Sequence, residues 1–180
     1  MIRLLIVSIF LFTACKSKVV QYPVDYDKDE FMKFSQDRNK EILEEDNQLI
    51  KNYIDSTGVN YSKTNFGFWI SNSAQYTETM AKGGDYVKYE YEVLDFDNNV
   101  VYSKKELGIN DAILGKEDLP RGLHVTLQLI EKGDSATALY PSFLAFGGYG
   151  DRDRVGGNAP LIFKVKVLDI KKSAKQNPKN

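Results

Sequence analysis

The chain has 180 residues, 42% hydrophobic and 27% charged, with a net charge of −1; this suits one globular domain with appendages and gives no electrostatic reason to expect a nucleic-acid partner. One Cys and one His exclude a zinc site built from Cys and His side chains of this chain alone, and a Ser-His catalytic pair would have to use His124. Aromatic residues are abundant, with 11 Tyr, 10 Phe and 1 Trp, many in runs of β character.

Residues 1–14, MIRLLIVSIFLFTA, carry one early cation, Arg3, before an apolar run from Leu4 to Phe12. That run is short for a membrane span and fits the core of a signal peptide. Cys15 follows Leu11-Phe12-Thr13-Ala14, which resembles the lipobox of bacterial lipoproteins, although Phe12 is bulkier than the usual aliphatic residue. The resemblance implies lipidation of Cys15 and a place in the cell envelope, lipid-anchored on the periplasmic side of the inner or outer membrane. The alternatives are an N-terminal anchor helix, or a soluble cleaved signal beside an incidental Cys. Residues 15–26 are polar and aperiodic and read as a tether.

Asp27 and Glu30 have the spacing of a capping box. Phe31, Phe34, Ile42, Leu49, Ile50, Tyr53 and Ile54 fall largely on one helical stripe, and Gly58 supplies a C-cap. A long helix is expected over 27–58. It either packs on the domain surface or serves as a spacer or dimerisation arm through residues 27–56.

From Phe66 the period changes. FGFWISN reads as a strand, Gly83-Gly84-Asp85 as a turn, and Tyr86 to Leu94 as a half-buried strand alternating with period two. Asp97-Asn98-Asn99 turns the chain into Val100 to Ser103. The Asp95–Asn99 run lacks the Gly and distal Glu of a calcium loop and reads as a hairpin turn. Leu119, Leu123, Leu127 and Ile130 predict a short helix across the sheet, and residues 136–140 and 161–170 complete the strands. The expected fold is α+β: a long helix, then an antiparallel sheet of about five strands wrapped around one short helix. The tail from 172 to 180 is polar and basic and reads as disordered. Asp151-Arg152-Asp153-Arg154 reads as a solvated flap tip, or more sharply as a partner-binding edge.

Gly133-Asp134, then Leu139-Tyr140-Pro141-Ser142-Phe143-Leu144-Ala145-Phe146-Gly147, then Asn158-Ala159-Pro160-Leu161-Ile162-Phe163, resemble the C-terminal half of an FKBP-type peptidyl-prolyl isomerase. The Gly84-Asp85 turn, the Tyr91 strand and Arg121-Gly122 at a helix start fall in that family's order, so the resemblance covers residues 64–171. Adding the lipobox Cys and the segments Phe31-Met32-Lys33 and Arg38-Asn39-Lys40, the layout resembles the gliding-motility-associated isomerase lipoproteins of Bacteroidetes.

The resemblance implies an FKBP-like domain that takes X-Pro polypeptides as clients and needs no cofactor and no metal. By position, the cup would comprise Tyr91, Tyr102, Leu119, Pro120, Leu123, Phe146, Val155 and Phe163. Several positions depart from the family's pattern. Leu123 stands for the usual floor Trp, Phe146 for a loop Tyr, and Tyr102-Ser103 for Phe-Asp. Leu119-Pro120 replaces an aliphatic pair, and Val155-Gly156-Gly157 replaces Ile-Pro-Pro. A smaller floor and a lost donor imply weak activity. Two functions follow. One is an isomerase assisting the folding of exported proteins. The other is a non-catalytic FKBP-like chaperone or structural module that binds partners in an envelope machine. His124, one residue past the floor position, is expected on the helix surface, pointing away from the cup.

Overall fold

The computed structural model describes residues 28–72 and 77–173. Cys15, the tether, Asp27 and residues 174–180 lie outside the described residues. The chain falls into two compact units, residues 1–36 and 37–180. The described part of the first, residues 28–36, is helical and leaves Phe31, Met32 and Phe34 exposed. Helix α1 runs from Lys28 to Thr57 and stops at Gly58, whose φ of +63° is the left-handed conformation that glycine adopts without steric penalty.

The second unit continues with β1 (Tyr61–Lys63), β2 (Trp69–Ser71), β3 (Tyr86–Leu94), β4 (Val100–Tyr102), α2 (Lys104–Leu107), β5 (Ile109–Ile113), α3 (Arg121–Thr126), β6 (Ser135–Tyr140) and β7 (Leu161–Lys171). The seven strands form one antiparallel sheet in the order β1-β2-β6-β7-β3-β4, and β5 pairs with β3. The α+β reading, a long helix before an antiparallel FKBP-like sheet, agrees with this architecture.

The strand count was expected at about five and is seven among the described residues. The two additional strands carry weak local signals. β1 is three residues long, too short to display a period. β5 contains Asn110 and Asp111, residue types depleted in strands, and owes its extended form to pairing with Tyr86–Glu90 of β3. The strand expected over 66–72 shortens to Trp69–Ser71. The helix expected over 119–130 shortens to Arg121–Thr126, because Pro120 takes a ψ of 134°, the residue before a proline is steered away from helical conformation, and the residues after Thr126 form turns. The Asp95 carboxylate accepts the amides of Asp97 (2.9 Å) and Asn99 (2.8 Å), which closes the hairpin between β3 and β4.

Alternation along β3, β6 and β7 builds two cores, because successive side chains take opposite faces. Val87, Tyr89 and Val93, Ala138 and Tyr140, and Phe163, Val165 and Val167 are buried on the inner face, against Leu123 and Leu127. On the opposite face Leu94, Leu139 and Ile162 meet Ile50, with Tyr53 and Ile54 of α1 packed beside them. The helical stripe therefore buries only its C-terminal portion, and Leu49, placed on the stripe by periodicity, is exposed.

The Asp85 carboxylate ties the start of β3 to the end of β7. It is fully buried, accepts the amides of Lys82 (2.9 Å) and Ser173 (2.8 Å), and pairs with the Lys172 ammonium at 3.2 Å. Burial alone would raise its pKa, but these amides and the ammonium hold it below the usual range. The folded value thus lies below the unfolded one of about 3.9. The associated stabilisation is complete above roughly pH 4 and is lost as pH falls through the folded value. Urea titrations across this range will show that Asp85→Asn lowers stability at neutral pH by about 1–3 kcal/mol. The variant will also lack part of the acid-induced loss seen in the wild type; an unchanged pH profile would remove Asp85 as the clasp.

Candidate functional site

The site grows from the inner face of β7. Phe163 is fully buried and sits among aromatic rings from three other segments. Tyr91 of β3 stacks on it with centroids 5.9 Å apart and planes at 4°. Tyr140 of β6 lies 4.8 Å away. Phe146, on the loop after β6, lies at 6.3 Å. Tyr140 is fixed by donating its hydroxyl to Thr126 Oγ1 of α3 at 2.7 Å. Gly122 is required beneath that ring, since a Cβ there would lie 2.8 Å from Tyr140.

Leu123 and Val155 are buried in the same core, and Tyr91, Tyr102, Leu119 and Phe146 pack against it partly exposed. Pro120 joins Leu119, Ala145, Phe146, Asp118 and Asp151 around an open recess of about 460 Å³. Six of the eight candidate positions thus form two tiers, with Tyr91 and Tyr102 half-buried beside them. Leu119, Pro120 and Phe146 reach the recess, whereas Leu123, Val155 and Phe163 lie buried. Burial pushes the Tyr91 phenol up, further from physiological pH. Among the described residues no cluster of three or more His, Cys, Asp or Glu is placed to hold a metal ion.

Tyr102 connects the cup to the flap. Its hydroxyl donates to Asp151 and, at 3.2 Å, to Asp153. The bond to Asp151, with burial behind it, pushes the phenol up to about 12. Asp151 accepts the amides of Asp153 (2.9 Å) and Val155 (2.8 Å). Burial would raise the Asp151 pKa, but the Tyr102 hydroxyl and the flap amides lower it, so the rim carries a fixed negative charge. Arg154 lies 4.8 Å over the Tyr102 ring, donates to the Val101 carbonyl at 2.9 Å and pairs with Glu106 of α2. The Asp151–Arg154 run leaves Arg152, Asp153 and Arg154 exposed, as a solvated tip does, and also fastens the flap to β4 and α2. Alternating charge could not reveal this, because the partners lie about fifty positions away.

A second fastening was invisible in the sequence. Asp46 of α1 is 4% exposed. Its Oδ2 accepts the Ser142 amide at 2.8 Å and the Ser142 hydroxyl at 2.7 Å. Ser142 opens the 3-10 turn Ser142–Leu144, three residues before Ala145, so α1 holds the base of the loop that carries Phe146. His124 lies outside the recess lining, as expected of a side chain pointing away from the cup, but is more buried than a surface residue. It is half-buried, with Nδ1 3.2 Å from Gln128 Nε2. Its Nε2 is buried without a partner among the described residues, beside a groove lined by Phe66, Val125 and Leu129.

The sequence profile described as FKBP-type peptidyl-prolyl cis-trans isomerase matches residues 77–168, just over half of the chain. The human peptidyl-prolyl cis-trans isomerase FKBP9 is 29% identical over 92 residues, covering 51% of this chain and 16% of that protein. A probable FKBP-type peptidyl-prolyl cis-trans isomerase FkpA from Neisseria meningitidis serogroup B is 36% identical over 86 residues, 48% of this chain and 31% of its own length. This chain therefore spans only a minor part of the relatives it matches. Two crystal structures share the fold. A peptidyl-prolyl cis-trans isomerase from Pseudomonas syringae pv. tomato superposes with a TM-score of 0.59 at 16% identity, covering 74% of this chain and 96% of its own. FkpA from Escherichia coli gives 0.58 at 18% identity, covering 82% and 74%.

Because Asp46 satisfies both donors of Ser142, Asp46→Ala leaves two buried groups unpaired and should destabilise by about 1–3 kcal/mol, against about 1 kcal/mol for Ser142→Ala. Hydrogen exchange will locate the change: the amides of Leu144 to Gly147 should lose protection in Asp46→Ala ahead of those in β3 and β7. Uniform loss across the sheet would mean that Asp46 supports the fold generally and not this loop.

Proposed function

The chain belongs to the FKBP-type peptidyl-prolyl cis-trans isomerase family, and on that premise we propose that it is a weakly active isomerase, lipid-anchored in the cell envelope, that assists the folding of exported proteins. The observation that carries this reading is the aromatic cup centred on Phe163, with Phe146 and the Leu119-Pro120 step at its mouth. Rotation about an X-Pro bond breaks no covalent bond. Its barrier, roughly 18–20 kcal/mol for peptide bonds, comes from amide resonance. An apolar recess lowers it by withdrawing water from the charge-separated planar imide and by fitting the twisted form better than either planar one. Such a site needs shape and a few fixed hydrogen-bond groups, and the residues gathered here provide that kind of wall.

Weak turnover follows from the same residues. Leu123 and Phe163 are 0% exposed, so seating a prolyl ring on the floor requires Phe146 and the flap to part. Phe146 has no hydroxyl to donate to a bound carbonyl. The Tyr102 hydroxyl is already engaged by Asp151 and Asp153. These features equally support a second reading, a binding module of an envelope machine that grips extended segments without turnover.

The Cys15 lipobox motif supports attachment through lipid; no described helix is long and apolar enough to cross a membrane. Together with the Phe31-Met32-Lys33 and Arg38-Asn39-Lys40 segments, it supports a place among the gliding-motility-associated isomerase lipoproteins of Bacteroidetes, with envelope proteins as clients.

NMR exchange spectroscopy of an X-Pro tetrapeptide with the full chain tests catalysis. Added protein should speed cis–trans exchange, Phe146→Ala should reduce that effect about tenfold or more through lost apolar contact, and Phe146→Tyr should raise it about 2- to 10-fold by restoring a donor. Peptide binding without faster exchange would favour the module over the enzyme. Anchoring is tested separately by growing cells with a labelled fatty acid. The wild-type chain should carry label and Cys15→Ser should not; an unlabelled wild type would remove the lipoprotein reading.

A further inference from the structure

A groove of about 370 Å³ lies between α1 and the site loop, walled by Ile42, Leu43 and Phe143 and rimmed by Asn39, Gly148 and Asn158. Its size falls in the range of ligand pockets, roughly 300–1,000 Å³. Its chemistry is that of a peptide subsite. Leu43 and Phe143 are 38% and 49% exposed, a pair of large apolar side chains facing the same space. At its base Asp46 Oδ2 takes both donors of Ser142, so Ser142 makes no demand on a ligand. The carboxamides of Asn39 and Asn158 at the rim make no hydrogen bond to another described residue, which leaves donors and acceptors suited to a peptide backbone.

The groove adjoins the cup across a single loop. Phe143 and Gly147 line both this groove and the recess at Leu119, Pro120 and Phe146. The two are therefore separated by the width of one loop. An extended chain, rising about 3.3 Å per residue, crosses such a width in about two to four residues.

We propose that this groove is a subsite for the client chain beside the target proline, seating an apolar side chain of an extended segment while the prolyl ring occupies the cup. The inference rests on the isomerase reading of the cup and names what that site selects: X-Pro segments with a large aliphatic residue a few positions from the proline. It also gives α1 a role in client selection, since two of the groove's apolar walls, Ile42 and Leu43, belong to that helix.

The test uses the full chain and synthetic peptides with one Pro in an Ala background, with a single Leu placed two, three or four positions before or after it. NMR exchange gives kcat/KM for each peptide relative to its all-Ala counterpart. At one or two placements wild type should favour the Leu peptide at least threefold, chiefly through KM. Leu43→Lys should bring that ratio close to one. Leu49→Lys, an exposed position on the same helix outside the groove, should keep it. A ratio near one at every placement in wild type, or the same ratio in Leu43→Lys and Leu49→Lys, would overturn the subsite while leaving the isomerase intact. If no peptide is turned over, the isomerase reading fails, and titration still decides the groove. Shifts of the Leu43 and Phe143 resonances specific to the Leu peptides uphold it, and their absence overturns it.

Discussion

The second unit is organised around the ring of Phe163. It projects from β7 onto the inner face, and Tyr91, Tyr140 and Phe146 close around it from β3, β6 and the site loop. Offset and tilted aromatic contacts of this kind each add about 0.5–1.5 kcal/mol beyond burial. Their geometric consequence matters more. Three strands and one loop share a contact, so the position of Phe146 is set by the core itself. The site is the outermost tier of the hydrophobic core.

That arrangement explains why the loops need fastenings. A wall made of core residues closes over unless something holds its rim apart. Asp46 anchors Ser142 from the helix side, and Tyr102, Asp151, Arg154 and Glu106 anchor the flap from the hairpin side. Close backbone packing completes the flap: a Cβ on Gly157 would lie 2.1 Å from the Gly148 carbonyl, so that crossing admits glycine alone. The recess at Leu119 and Pro120 stays open between these two fixed edges, while Leu123 and Phe163 remain sealed below.

The long helix has two distinct environments. Near its end, Ile50 completes a second core with Leu94, Leu139 and Ile162, which covers one end of the outer sheet face. The remainder of that face carries Glu90, Glu92, Lys164 and Lys166, with Glu90 opposite Lys166 and Glu92 opposite Lys164 in the register. Of these, Glu92 and Lys164 form an ion pair, worth little by itself, but the charged residues mark the solvent side and leave the strands one register that buries the apolar set.

Much of the fold was legible because period and punctuation are local properties. The alternation from Tyr86 to Leu94 and from Leu161 to Ile170, the turns at Gly84 and Asn98, and the Gly58 stop could be read in order along the chain. The candidate cup residues came from resemblance of ordered motifs, and the two tiers into which they sort followed only from packing. Strand β5 was missed because Asn110 and Asp111 oppose strand formation locally and only pairing with β3 overrides them. The surface assignment of His124 failed because helical spacing says which way a side chain leaves its helix and nothing about what later covers it.

The sequence by itself determined the α+β class, the helix before the sheet, the family and the absence of a Cys/His metal chemistry, since each is written in composition or in residues close together. Only the tertiary structure decided that Asp46 meets Ser142, that Tyr102 fastens the flap, and that α1 and the site loop enclose a common groove. Those contacts join residues about fifty to one hundred positions apart. Their energy depends on burial and on the distances between groups that folding brings together, and no local pattern encodes either quantity.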